Sequence, residues 1–145
     1  MKIGISSCLL GYNVRYDGSN KRNDELIELL KDFELIPVCP EISAGFSVPR
    51  LPIEIRNGRV ISKAGIDLHD DLMKGSGKCF EQIKDCEFVI LKSKSPSCGY
   101  KKIYDGSFSG RLIDGDGLFA SLCLEHRLKV FTELDIEKIR EYILQ

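Results

Sequence analysis

The N-terminal part of the chain combines apolar stretches of two different periods. Lys2–Ser7 is rich in Ile and alternates weakly, which predicts a buried strand. In Asn23–Phe33 the apolar residues recur at helical spacing behind an Asn-Asp N-cap, and acidic residues occupy the first turn. Glu34–Val38 predicts a second strand, which ends at Cys39-Pro40. A strand, a helix and a strand in this order predict a βαβ unit with parallel strands and a right-handed crossover.

Two short segments predict small hairpins outside this unit. Ile53–Arg56 and Arg59–Ile61 flank Asn57-Gly58, and an Asn-Gly pair between β-rich runs is a strong signal for a two-residue hairpin turn. Tyr104–Phe108 has the composition of a turn and predicts a second small hairpin. Both segments are expected to be insertions between the larger elements.

The second half of the chain predicts further alternation of helices and strands. Asp67–Asp85 has a helical pattern that Gly75 and Gly77 are expected to weaken or break. The remaining elements are the strand Phe88–Leu91, the helix Gly117–His126, the strand Lys129–Thr132 and the helix Asp135–Leu144. Phe88–Leu91 is apolar throughout, as expected for a strand that is buried on both faces.

These elements predict an α/β fold that forms one domain over residues 1–145. We expect a three-layer sandwich around a mainly parallel, Rossmann-like sheet of about four strands, with small hairpin insertions. In such sheets ligands bind beyond the carboxyl ends of the strands. The segments that follow the predicted strands are therefore the places to search for chemistry.

Composition and charge narrow the class of protein. Hydrophobic residues make up 43% of the chain and charged residues 30%, and the formal net charge is −1. This balance gives no electrostatic reason to expect a nucleic-acid duplex or an anionic membrane as a partner. The sequence contains neither an apolar run of transmembrane length nor a signal peptide, so we expect a soluble, cytoplasmic protein.

Six cysteines are many for a protein in a reducing compartment, where a disulfide framework is not expected. No two of them form a C-x-x-C motif. Cys8, Cys39 and Cys98 follow three predicted strands, so a parallel sheet would bring them to one edge. The other three lie in or beside predicted helices, where a buried packing role is expected: Cys79, Cys86 and Cys123.

Three convergent thiols require a cation or must stay protonated, because three thiolates repel one another. A zinc site would ordinarily use further protein ligands, and His69 and His126 lie in predicted helices away from these loops. An iron–sulfur cluster fits the donor set better, because thiolates are its usual ligands. A cubane held by three cysteines leaves one iron open, which can act as a Lewis acid toward a soft sulfur atom.

The motifs around these cysteines, taken in order, resemble a known family. They are Ser7-Cys8-Leu9-Leu10-Gly11 with Arg15-Tyr16-Asp17-Gly18, Cys39-Pro40-Glu41 with Pro49-Arg50, Lys94-x-Ser-Pro-Ser-Cys-Gly and Tyr104-Asp105-Gly106-x-Phe108. Together they resemble the thiouracil desulfidases, a bacterial and archaeal family formerly known as a domain of unknown function. The resemblance extends from Lys2 to about Glu133.

The resemblance implies a [4Fe-4S] cluster on Cys8, Cys39 and Cys98 and the non-redox removal of sulfur from a thiolated base. In that reaction the thiocarbonyl sulfur binds the open iron, water attacks the carbon, and sulfide leaves. We expect Glu41 to activate the water and Ser97 or Ser95 to hydrogen-bond the base. The substrate-binding residues are expected to be Arg15, Asp17 and Arg50.

Two other functions remain open at the level of the sequence. The first is a hydrolase without a cluster that uses Cys98 as its nucleophile, although no His lies near the site loops. The second is a non-catalytic module that senses a metal or a cluster.

Overall fold

The protein is described by a computed structural model that covers residues 1–145. Its main sheet contains four strands, all parallel, in the order β2-β1-β5-β8. These strands are β1 (Lys2–Ser6), β2 (Glu34–Val38), β5 (Phe88–Leu91) and β8 (Lys129–Thr132). The predicted parallel sheet is thereby confirmed, and the strands agree with the predicted segments to within one residue.

Helices cover both faces of the sheet. Ile3, Ile5 and Phe88 face α1 (Asp24–Leu29) and α5 (Ile136–Leu144). The intervening residues of the same strands, such as Val89, pack against α3 and α4. Those two helices span His69–Ile83 and Leu118–Glu125. This arrangement confirms the predicted three-layer α/β sandwich, because alternate residues of each strand face opposite layers.

Two antiparallel hairpins interrupt the alternation of strands and helices. The first consists of β3 (Ile53–Arg56) and β4 (Arg59–Ser62), and the second of β6 (Lys102–Tyr104) and β7 (Leu112–Asp114). Along the chain, the first hairpin lies between β2 and α3, and the second lies between β5 and α4. They form walls of the cavity described below.

Helix α3 corrects the expectation that Gly75 and Gly77 weaken or break it, because it runs without interruption from His69 to Ile83. Gly75 lies where the short helix α2 (Pro40–Ser43) crosses α3. A Cβ atom at this position would be 2.2 Å from the Pro40 carbonyl oxygen, so the glycine permits close contact between the two helices. No atom approaches within 4 Å of the corresponding position at Gly77.

Some boundaries differ from the predicted ones because local contacts take over at the ends of elements. Helix α1 begins after Asn23, whose side chain accepts a hydrogen bond from the Leu26 N–H, and it ends at Leu29 rather than at Phe33. A turn of 3-10 helix, Ser7–Leu10, follows β1 where a loop was expected. No helix combines the length and the apolar composition that crossing a bilayer requires.

Candidate active site

The carboxyl ends of the sheet strands open into a cavity of about 560 Å³. Cys8 lies in the 3-10 turn after β1, Cys39 follows β2 directly, and Cys98 lies in the loop after β5. Because β1 is paired with both β2 and β5, the three cysteines follow three adjacent strands. All three line this cavity and all three are free thiols.

Burial controls the protonation of these thiols when nothing is bound to them. It raises the pKa of the Cys8 thiol to about 11, and the nearby Lys92 ammonium opposes this rise. It raises the pKa of Cys98 well above its ordinary value, and the Ser6 hydroxyl opposes that shift by hydrogen bonding. The pKa of Cys39 is also raised by burial, against the opposing backbone N–H groups of α2.

Neighbouring thiols also raise the pKa values of Cys8 and Cys98. Cys39 acts on both Cys8 and Cys98, and Cys8 acts on Cys98. They therefore form one electrostatic unit that a bound cation would stabilise.

No three His, Cys, Asp or Glu side chains are close enough together to hold a single metal ion. A tetrahedral zinc site would require its sulfur atoms about 3.8 Å apart, because Zn–S bonds are roughly 2.3 Å long. A cubane bonds each thiolate to a different iron, so its cysteine sulfur atoms can lie farther apart than those of a zinc site. Three thiols that line one cavity, without a histidine among its lining residues, fit an iron–sulfur cluster better than zinc.

Glu41 lies beside the thiols because α2 begins immediately after Cys39. Its side chain is only 14% exposed and forms an ion pair with Arg50, whose Nη2 is 3.1 Å from Glu41 Oε1. The other carboxylate oxygen, Oε2, accepts a hydrogen bond of 3.3 Å from the Ser97 hydroxyl. The contacts of Glu41 thus connect Arg50 on one side with the loop that carries Cys98 on the other.

The guanidinium of Arg50 is occupied by contacts within the chain. Besides Glu41, it donates to the Val14 carbonyl at 2.8 Å and to the Ser47 carbonyl at 3.0 Å. An arginine that is held on three sides has a fixed orientation. Arg50 lines the cavity as expected, and the group that it contacts there is the Glu41 carboxylate.

The two serines of the Cys98 loop have different environments. The Ser95 hydroxyl accepts the backbone N–H groups of Ser97 and Cys98, at 3.2 and 3.0 Å, and thereby holds the turn. Ser97 is buried, and its hydroxyl lies 3.0 Å from that of Ser95 and within reach of Glu41. Ser95, Ser97 and Glu41 therefore form one hydrogen-bonded chain beside Cys98.

The loop is fixed from behind by α4. The Phe119 and Ala120 N–H groups donate to the Ser97 carbonyl. A Cβ atom at Gly117 would lie 2.5 Å from that same carbonyl oxygen. The N–H groups at the start of α4, which have no partner within the helix, are thus satisfied by the loop without a capping side chain.

The structure brings together eight of the nine predicted site residues. The ninth, Asp17, does not line the cavity. Its carboxylate is exposed and accepts hydrogen bonds from the Ser19 N–H and hydroxyl, at 3.0 and 2.5 Å. These bonds hold the pKa of Asp17 below its usual value. Arg15 lines the cavity, and its guanidinium lies 5.7 Å from the centre of the Tyr16 ring.

Several residues around the cavity were not predicted from the sequence. Lys92 lines it next to Cys8 and forms an ion pair with Glu133, which is 10% exposed and also accepts the Ser93 N–H. Tyr104 and Phe108 line it from the second hairpin. Lys92 directly follows the apolar strand Phe88–Leu91, and this position was the available signal for it.

Comparisons with known proteins agree with this arrangement. A model of the 2-thiouracil desulfurase family matches residues 3–135. The uncharacterized protein YbbK of Bacillus subtilis (strain 168) is 35% identical, over 93% of this chain and 97% of the relative. A solved structure described as the [4Fe-4S]-dependent thiouracil desulfidase TudS superposes with a TM-score of 0.87 at 33% identity. The superposition covers 98% of this chain and 97% of the other.

Proposed function

Because this chain belongs to the 2-thiouracil desulfurase family, we propose that it converts 2-thiouracil, or a closely related thiolated base, into the oxygenated base and sulfide. The overall reaction consumes one water and releases one hydrogen sulfide. A carbon–oxygen bond forms as the carbon–sulfur bond breaks, and the oxidation state of the carbon is unchanged. No oxidant or reductant is required.

Cys8, Cys39 and Cys98 would hold a [4Fe-4S] cluster. The observation that carries the proposal is that these three free thiols and Glu41 line a single cavity. A similar protein is described as [4Fe-4S]-dependent, which supports the choice of cofactor. When bound, the cluster supplies an iron without a protein ligand, a Lewis acid suited to a soft thiocarbonyl sulfur.

Glu41 is the proposed general base. Its carboxylate is ion-paired with Arg50 and would accept a proton from the attacking water. Arg50 acts as a positioning residue that directs Oε2 of Glu41 toward Ser97. Because the Ser97 hydroxyl donates its proton to Glu41, it can accept a hydrogen bond from a ring N–H of the base or from the attacking water.

Neither alternative function is favoured by a feature of the site. A cysteine nucleophile needs a base or a depressed pKa, whereas burial raises the pKa of Cys98 and no histidine lines the cavity. A sensing module would not need the ion-paired Glu41 beside the thiols. Turnover therefore distinguishes the proposed enzyme from both alternatives.

The test is anaerobic reconstitution followed by a visible spectrum, iron and sulfide analysis, and an assay with 2-thiouracil. We expect a brown protein with about four irons and four sulfides per chain, as a cubane requires. We also expect release of one sulfide for each uracil formed. A colourless protein with stoichiometric zinc would refute the cluster, and a brown protein without turnover would favour the sensing module.

A further inference from the structure

The second hairpin contributes two aromatic side chains to the cavity that have no role in the apolar core. Tyr104 and Phe108 both line the cavity and are partly buried. Neither belongs to the three clusters of packed apolar residues. Neither ring is paired with another aromatic ring. Their apolar surface is therefore available to a bound molecule.

The backbone at Phe108 is strained. Its φ angle is +56°, in the left-handed region that bulky side chains rarely adopt. Such a conformation persists only where the surrounding structure enforces it, and it is common where a side chain must be directed toward a ligand.

Two charged residues of β3 enforce this conformation. Glu54 Oε1 accepts the N–H groups of both Gly106 and Phe108, at 3.0 and 3.1 Å. Arg56 donates twice to the Gly106 carbonyl, from Nε at 3.0 Å and from Nη2 at 2.6 Å. Through these hydrogen bonds, both side chains hold this loop against the first hairpin.

The loop lies directly against β3. A Cβ atom at Gly106 would be 2.5 Å from the Cβ of Arg56, so only glycine permits this contact. The position of Phe108 is thus determined by contacts with residues that lie 50 to 54 positions away in the chain. It does not depend on the sequence of its own turn alone.

We propose that Phe108 is the stacking surface for the ring of the substrate, with Tyr104 beside it, and that it selects planar heteroaromatic thiocarbonyl compounds over acyclic thioamides. This inference rests on the proposed function and specifies the class of substrate. A planar ring gains dispersion and quadrupole contacts on an aromatic face that a small acyclic thioamide cannot match. The polar groups of Glu41 and Ser97, in the same cavity, are available to the edge of the ring.

The decisive variant is Phe108→Leu, which keeps an apolar side chain but removes the aromatic face. We expect KM for 2-thiouracil to rise about tenfold with kcat nearly unchanged, because stacking is lost equally in the ground and transition states. With thioacetamide as substrate, kcat/KM should be unchanged, so the preference for 2-thiouracil over thioacetamide falls about tenfold. The matched control Phe108→Tyr retains the aromatic face and should retain the wild-type KM.

A second pair of variants tests the anchor. Glu54→Gln keeps an acceptor oxygen for the two N–H groups and should preserve KM. Glu54→Leu removes the acceptor and should raise KM as Phe108→Leu does. Cluster content, measured from visible absorbance, should be the same in all four variants, because none of them changes a cysteine.

The outcomes separate the inference from the proposed function. If the wild-type protein releases no sulfide from 2-thiouracil, the proposed function fails and the inference falls with it. If the wild-type protein is active and Phe108→Leu retains its KM and its preference over thioacetamide, the function stands and the stacking surface is refuted.

Discussion

The six cysteines form two groups of three that differ in their surroundings rather than in their burial. Cys8, Cys39 and Cys98 line the cavity, whereas Cys79, Cys86 and Cys123 do not line it and pack in the apolar cluster on the α3–α4 face of the sheet. Burial raises the pKa values of both groups, for example to about 11 for Cys8 and to about 12 for Cys123. The depth of a thiol therefore does not identify the functional group.

The groups that oppose this rise in pKa differ most between the cavity thiols Cys8 and Cys39 and the packing thiol Cys123, whereas the packing thiol Cys86 also lies near a cation, Lys2. Lys92 is close to Cys8, while Arg50 and the N–H groups of α2 are close to Cys39. The titratable neighbours that act on Cys123 are the thiols of Cys79 and Cys86, and both raise its pKa further. A site that must hold thiolates needs compensating charge and hydrogen-bond donors, whereas a packing site does not.

The strongest test of this comparison replaces one cysteine of each group by serine. Cys98→Ser, like Cys8→Ser and Cys39→Ser, should abolish both cluster binding and sulfide release, because a ligand is lost. Cys123→Ser should keep the cluster and cost at most a few kcal/mol of stability, from burial of a hydroxyl. Iron content and visible absorbance after anaerobic reconstitution measure the difference. Loss of the cluster in Cys123→Ser alone would show that the ligand set is wrong.

A smaller effect is expected from the carboxylate beside the first group. Glu41→Gln should retain the fold and the brown cluster but lose roughly 10²-fold in kcat, the usual scale for a general base. Sulfide release from 2-thiouracil, measured at matched cluster content, gives the value. Ser97→Ala should lose less, since it removes a hydrogen bond rather than the base. Turnover of Glu41→Gln near the wild-type level would exclude Glu41 from this role.

The smallest effect is expected at the contact between α2, which follows Cys39, and α3, which contains Cys79. Cys79 donates a hydrogen bond from its thiol to the Ser43 hydroxyl of α2, and Gly75 lies one turn earlier on α3. Gly75→Ala would place a methyl group against the backbone of α2, at a cost of about 1–3 kcal/mol, and should lower cluster occupancy. Melting temperature and iron content provide the measurement.

The matched control is Gly77→Ala, two residues along the same helix. Its new methyl group meets nothing within 4 Å, and alanine favours a helix by up to about 1 kcal/mol. This variant should be at least as stable as the wild type and fully loaded with iron. Equal behaviour of the two alanine variants would mean that the close contact of α2 with α3 does not position Cys39 and Glu41.

The sheet and the thiols could be predicted from the sequence because local periodicity reports burial. Phe88–Leu91 is apolar throughout and is the interior strand between β1 and β8. Parallel pairing then places the residues after each strand at one edge, which was enough to bring Cys8, Cys39 and Cys98 together. The family resemblance is confirmed by the match over residues 3–135.

The remaining features depend on contacts between distant residues, which no local pattern encodes. Arg50 was expected to bind substrate, and its contact with Glu41 arises only when the segment after α2 folds back. The anchoring of Phe108 by Glu54 is a tertiary contact of the same kind.

Asp17 and Asp105 lie in identical Tyr-Asp-Gly-Ser segments and accept the same hydrogen bonds from a serine two residues later.

The hydrogen bonds between the Cys98 loop and the start of α4 affect the order in which the cavity forms during synthesis. The ribosome delivers the chain from its N-terminus, so Cys8 and Cys39 emerge long before their partner. The Ser97 carbonyl in the Cys98 loop can accept its two hydrogen bonds only after Phe119 and Ala120 have been synthesised. A nascent chain thus carries two of the three thiols without a complete pocket, so the proposed cluster would be received only when nearly the whole protein has been translated.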